Sequence, residues 1–215
     1  RRRGGAEAAV FRLTRKLVAR DSQLAARSWP ALGVALAALV LGAATDQLAD
    51  PFRVGDARIA LTLAYPVLVA AAVPLLYQYL VFSKDHEASW VLRGLPSRAL
   101  ARGVRRAVLL SYVLPVALLG AAVMAWQWRS PLHAAAQLGV LWLLVEAAVR
   151  LAEVQVLLVP PFSRPPQRGA STGRASLTAA LVTGAGGGGV ALQYAWGREP
   201  LATVALLLGL LVAVW

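Results

Sequence analysis

Three groups of side chains have the types and spacing to do chemistry. The run Asp85-His86-Glu87 offers one imidazole and two carboxylates, the donor set of a metal site. Consecutive residues on a helix point about 100° apart, so three in a row do not converge on one ion, and no metal site is expected there. Glu146, Arg150 and Glu153 are spaced i, i+4 and i, i+7, which places them on one helix face where they can pair. The run Gly184-Ala185-Gly186-Gly187-Gly188-Gly189 has the composition of a phosphate loop, but no Lys-Ser/Thr follows it and no strand precedes it. Close helix packing is the better reading of those glycines, with a local helix break as the alternative.

Other chemistries are excluded more simply. There is no cysteine, hence no disulfide, thiolate ligand or Cys nucleophile. His86 and His133 are expected on opposite sides of the molecule and cannot grip one haem. No Walker A and no H-E-x-x-H motif occurs, and no nucleophile–base pair stands out. The expectation is a protein without catalytic residues or cofactor.

The elements that position these groups follow from composition. Hydrophobic residues make up 59% and charged residues 15%, with mean hydropathy +0.62. A soluble domain carries about 25% charge. Crossing roughly 30 Å of hydrocarbon takes about 20 apolar residues. Stretches free of Asp, Glu, Lys and Arg run over Ser28–Thr45, Ile59–Ser83, Ala107–Trp128 and Ala175–Gly197. Two further candidates are Ser130–Val145, which continues through Glu146, Arg150 and Glu153, and Leu201–Trp215. The alternation of a membrane β-barrel is absent, so the spans must be helical. The sequence therefore predicts an all-α polytopic membrane protein. Its segment 1–28 is cytoplasmic and interfacial, and its transmembrane domain 29–215 has six spans near 29–46, 59–82, 107–127, 132–152, 176–196 and 201–215. The missing initial Met and the short last span predict a piece of a longer chain.

The net charge of +12 would suggest nucleic acid on a soluble protein. Here the six segments that precede the successive spans hold eight, two, six, one, four and one Lys or Arg, which accounts for all 22. Basic residues collect on the cytoplasmic side of a membrane protein. The alternation predicts a cytoplasmic N-terminus and an outer loop at Asp46–Asp56, with no nucleic-acid role. Ala6–Arg27 reads as an amphipathic helix on the cytoplasmic leaflet, leading into span one at Trp29-Pro30. Arg12, Arg15, Lys16 and Arg20 would meet anionic lipid there. Pro66, Pro74 and Pro115 predict kinks.

In the loop Ser83–Pro96, Trp90 stands between Asp85, His86 and Glu87 on one side and Arg93 on the other. That mixture suits a protein contact, and equally an interfacial belt Trp. Entering from Leu132, Glu146 lies about 21 Å deep, the one ionisable side chain placed within the hydrocarbon. Intramembrane carboxylates are functional by default, but a structural Glu146–Arg150 pair explains this one. Val159–Gly169, with four prolines, reads as a stiff basic connector.

Three segments carry a family resemblance. Phe11-Arg12-Leu13 through Arg20-Asp21 to Arg27-Ser28-Trp29-Pro30-Ala31-Leu32-Gly33 resembles the stretch before a span in bacterial ABC-2-like exporter permeases. The loop Ser83-Lys84-Asp85-His86-Glu87-Ala88-Ser89-Trp90-Val91-Leu92-Arg93-Gly94-Leu95-Pro96 resembles that group's acidic, Ala-Ser/Ala-Trp, Pro-closed loop. Val159-Pro160-Pro161-Phe162-Ser163-Arg164 resembles its Leu-Pro-Phe-Ser loop, with one extra proline. The segments occur in the family's order, as a C-terminal portion would. The resemblance implies a permease subunit working with a separate cytoplasmic ATPase, to which Asp85, His86, Glu87, Trp90 and Arg93 would couple. Other membrane subunits or a second copy are further expected partners, and an inner (plasma) membrane location is a further expectation that the resemblance implies. The competing expectation is a non-catalytic scaffold subunit of a respiratory or photosynthetic complex.

Overall fold

The computed structural model describes residues 3–53, 60–82, 92, 94–158, 161–164, 179–180, 182–184 and 187. Helix α1 spans Arg3–Arg20 and α2 spans Ser22–Ala44. They separate at Asp21, whose backbone turns extended (φ −88°, ψ 97°). Its carboxylate accepts hydrogen bonds from the Gln23 and Leu24 amides at 3.0 and 3.1 Å. An Asp in this position satisfies helix N-terminal amides that would otherwise lack partners. The amphipathic segment expected through Arg27 therefore stops at Arg20. The helix that carries the first candidate span begins at Ser22, and Pro30 lies inside α2 instead of at its entry.

Helix α3 covers Ala60–Leu80 with Pro66 and Pro74 inside it. Helix α4, Ser97–Val108, starts directly after Pro96 and runs without a break into a π-helical turn, Leu109–Val113, and then into α5, Leu114–Trp128. The span expected to begin at Ala107 is thus the upper part of one long helix starting at Ser97. The π turn has a local cause. Pro115 has no amide hydrogen and would crowd the carbonyl four residues back in a regular helix. Just before it the chain widens, and the Leu114 amide bonds Leu109 O, five residues back. Tyr112 of this turn meets Trp29 of α2 edge-on at 6.0 Å. Helix α6 runs from Pro131 to Leu158, longer than the expected 132–152.

Among the described residues four helices are long and apolar enough to cross a membrane: Ser22–Ala44, Leu61–Leu80, Ser97–Trp128 and Pro131–Glu153. The last two expected spans lie outside the described residues except at 179–180, 182–184 and 187. At Gly184 and Gly187 an added Cβ meets nothing within 4 Å.

Helix α3 is the centre of the bundle. Tyr65, Val69, Val73, Leu76 and Tyr77 are buried along it, against α6 on one side and α2 on the other. The outward faces of the flanking helices are apolar too. Val34, Val40 and Leu41 of α2, Leu118, Leu119 and Trp126 of α5, and Leu132 and Leu151 of α6 are all exposed. A water-soluble bundle does not present so much apolar surface. In a bilayer those side chains meet lipid.

Glycine sets two of the helix contacts. A Cβ on Gly103 would sit 2.6 Å from Val10, so α1 crosses α4 at that point with no room for a side chain. A Cβ on Gly120 would overlap the Tyr65 ring, whose hydroxyl donates to Val116 O at 2.5 Å.

The basic segments collect at one end of the bundle. Helix α1 packs along α4, and Arg106 of α4 lies 5.2 Å over the Phe11 ring. Residues 161–164 join the same end. The Phe162 amide donates to Leu80 O at 2.7 Å, and the Arg164 amide to Val81 O at 3.1 Å. Phe162 itself is buried, with a left-handed backbone (φ 57°). A segment read only as a connector is therefore anchored at the end of α3.

Candidate functional site

Helix α4 is amphipathic, with Arg98, Arg102 and Arg106 spaced by four residues on its exposed side. Arg105 is different. It is four residues after buried Ala101 and three before buried Val108, so it lies beside the packed face. There its guanidinium meets α6. One Arg105 nitrogen (Nη2) donates to both carboxylate oxygens of Glu146, at 2.6 and 2.5 Å. The other (Nη1) lies 3.9 Å from Glu153. Arg150 donates from Nε to Glu146 at 3.2 Å.

The pairing of Glu146 with Arg150 is as expected from the i, i+4 spacing, but Arg150 is the lesser partner. Glu146 has 12% of its side chain exposed, Arg105 27% and Arg150 37%. The shorter contacts and the deeper burial both belong to Arg105. The sequence reading missed it because it lies 41 residues away on another helix. A signal was present, since Arg105 breaks the four-residue rhythm of the exposed arginines.

Tyr77 of α3 is 1% exposed, and its hydroxyl has no hydrogen-bond partner. It stands within electrostatic reach of Glu153, Arg105 and Glu146. The cluster so formed joins α3, α4 and α6 near the basic end. A carboxylate removed from water must be paired, and here both Glu146 oxygens accept from Arg105. The direct effect is mechanical: α4 cannot shift along α6 without breaking these bonds. Among the described residues no group of three or more His, Cys, Asp or Glu is placed to hold a metal ion. Asp85, His86, Glu87, Trp90 and Arg93 lie outside the described residues.

A second polar constellation occupies the opposite end and was not foreseen. Residues 45–53 turn at Thr45-Asp46 and again at Pro51-Phe52, and lie at the ends of the spans. Leu48, Asp50 and Phe52 are buried, while Gln47 and Arg53 are exposed. Asp50 Oδ2 lies 2.5 Å from His133 Nδ1 and 3.5 Å from Arg53 Nε. Its Oδ1 accepts from the Phe52 amide at 3.0 Å. The Phe52 ring is 5.1 Å from the His133 ring. The Trp128 indole donates to Leu48 O at 2.5 Å, and Thr62 to Ala49 O at 2.9 Å.

Comparison with protein-family models, with characterised proteins and with solved structures finds no match for this chain.

Proposed function

We propose that this chain is the membrane-spanning permease subunit of an ABC-type transporter in a bacterial inner membrane, driven by a separate cytoplasmic ATPase. In this reading the basic end faces the cytoplasm and two further spans follow within 176–215. The observation that carries it is the fastening of the basic layer to the spans. Helix α1 grips α4 at Gly103, α4 is continuous with α5, and Arg105 ties α4 to α6 through Glu146. A force on that layer reaches α4, α5 and α6 through these contacts. The three segments that resemble the ABC-2-like permeases support the same reading, and two of them include parts of this layer. Energy from ATP enters such a protein from outside the chain, which suits a sequence without Walker A.

The test is affinity purification of the full-length protein from native membranes. An ATPase should accompany it. Trp90→Ala should weaken that association at least tenfold, since truncating a buried aromatic anchor costs about 2 kcal/mol. Membrane insertion should be unchanged. Recovery with cofactor-bearing respiratory or photosynthetic subunits, and no ATPase, would establish the scaffold role instead.

A further inference from the structure

Helix α4, the π turn and α5 form one unbroken rod, yet its two ends follow different rows of side chains. On α5 the side turned to α6 carries Ala117, Ala121 and Met124, which share a cleft with Leu138 and Leu141 of that helix. Side chains three or four residues apart in a helix lie one above another. The same line continues back through Val113 and Leu110 to Arg106, so an unbroken α-helix would aim Arg106 at α6. Instead it is Arg105 that meets α6, donating to Glu146 at 2.6 and 2.5 Å. Arg106 is exposed, over the Phe11 ring of α1.

The same offset of one residue runs through the core row. Gly120, Val116 and Val113 are buried in succession. At three- and four-residue steps that row continues back to Leu109, Arg105 and Arg102, which a regular helix would sink into the core. The buried residues of α4 are instead Val108, Val104 and Ala101, each one place earlier, and Arg102 is exposed.

A π-helical turn holds one residue more than an α-helical turn, and each helical residue rotates the chain by about 100°. The turn at Leu109–Val113, with its bond from the Leu114 amide to Leu109 O, absorbs that residue. Pro115 makes room for it locally, but the packing on both sides demands it. Without the extra residue Arg105 would occupy the buried place of Val104. Val104 would in turn occupy the place of Gly103, where a Cβ already sits 2.6 Å from Val10 of α1.

We propose that the π turn is a built-in register shift of one residue, held by packing rather than by the proline alone, that gives two adjacent arginines separate partners. It assigns Arg105 to Glu146 of α6 and Arg106 to the outer face beside α1. Helix α4 is thereby clasped between α1 and α6, with the row Arg98, Arg102 and Arg106 left outside. This holds whatever the chain transports or joins, so it stands or falls separately from the permease reading.

The test is removal of one residue from the full-length protein, purified in detergent and followed by thermal melting. Deleting Leu110, exposed within the turn, makes the Leu114–Leu109 bond an ordinary α-helical one and leaves both rows in phase. Deleting Leu118, similarly exposed on α5, rotates everything before it by about 100°. The first protein should melt within roughly 5 °C of the parent, and the second should lose its cooperative transition. In the Leu110 deletion, and in Pro115→Ala, Arg105→Gln should still lower the melting temperature far more than Arg106→Gln does. Transfer of the larger effect to Arg106→Gln in either background would overturn the register shift. So would a Leu110 deletion that fares no better than the Leu118 deletion.

Discussion

Glu146 accepts from two arginines on different helices, and they are unequal. Arg105 holds both carboxylate oxygens from α4, while Arg150 holds one from its own helix and is more exposed. Removing a well-paired partner leaves a charge without compensation, at a cost of about 3–5 kcal/mol. An exposed i, i+4 pair is worth about 0.5 kcal/mol. Arg105→Gln should therefore lower the melting temperature in detergent far more than Arg150→Gln does. Equal effects would mean that the pair within α6 carries the charge. Glu146→Gln removes the acceptor of both and should destabilise at least as much as Arg105→Gln. If Glu146 is structural, assembly activity should fall only in step with stability; dead activity in a fully stable variant would make it a transport site. The sequence made Glu146 and Arg150 visible because their spacing is local. Arg105 depends on which face α4 turns to α6, a tertiary fact that four-residue periodicity only hints at. Asp50 and His133 were harder still: one lies in a loop, the other one turn into a helix, and nothing in their spacing joins them.

At the scale of elements, counting uncharged runs located the four described helices that are long and apolar enough to cross a membrane, but it did not mark where those helices end. Arg106 bounds the uncharged run and so predicts a third span from Ala107, whereas the helix begins at Ser97, directly after Pro96. Asp21 falls inside the segment Ala6–Arg27 that reads as one amphipathic helix, yet it divides α1 from α2 as a cap. Charge reports where lipid ends; caps and prolines report where helices end. The contact between α1 and α4 supplies a test at this scale. Gly103→Ala places a methyl 2.6 Å from Val10 and 3.0 Å from Glu7 O. Overpacking of this kind costs about 1–3 kcal/mol. Because α1 has few other attachments, the cost should appear as its release. Limited trypsin digestion should cut the Arg-rich α1 at least several-fold faster, with the spans still resistant. Gly33→Ala, where the new Cβ meets nothing within 4 Å, is the matched control and should digest like the parent. Equal digestion of Gly103→Ala and the parent would show that the crossing at Gly103 does not secure α1.

For the whole molecule, the sequence predicted that the N-terminal segment, the segment before the third span and the segment near residue 164 share one side of a membrane. The bundle brings α1, α4 and residues 161–164 to one end and residues 45–53 to the other, and its outward faces are apolar. The described basic segments thus share one end, and under the permease reading that end faces the cytoplasm. The measurement that tests it most directly is labelling of single cysteines in intact cells, with the cysteine-free parent as blank. Ser130→Cys, at the turn between α5 and α6, should react with a membrane-impermeant maleimide added outside. Ser97→Cys, at the exposed start of α4, and Ser171→Cys should react only after the membrane is permeabilised. Reaction of Ser97→Cys and Ser130→Cys from the same side would contradict the spanning bundle and everything built on it.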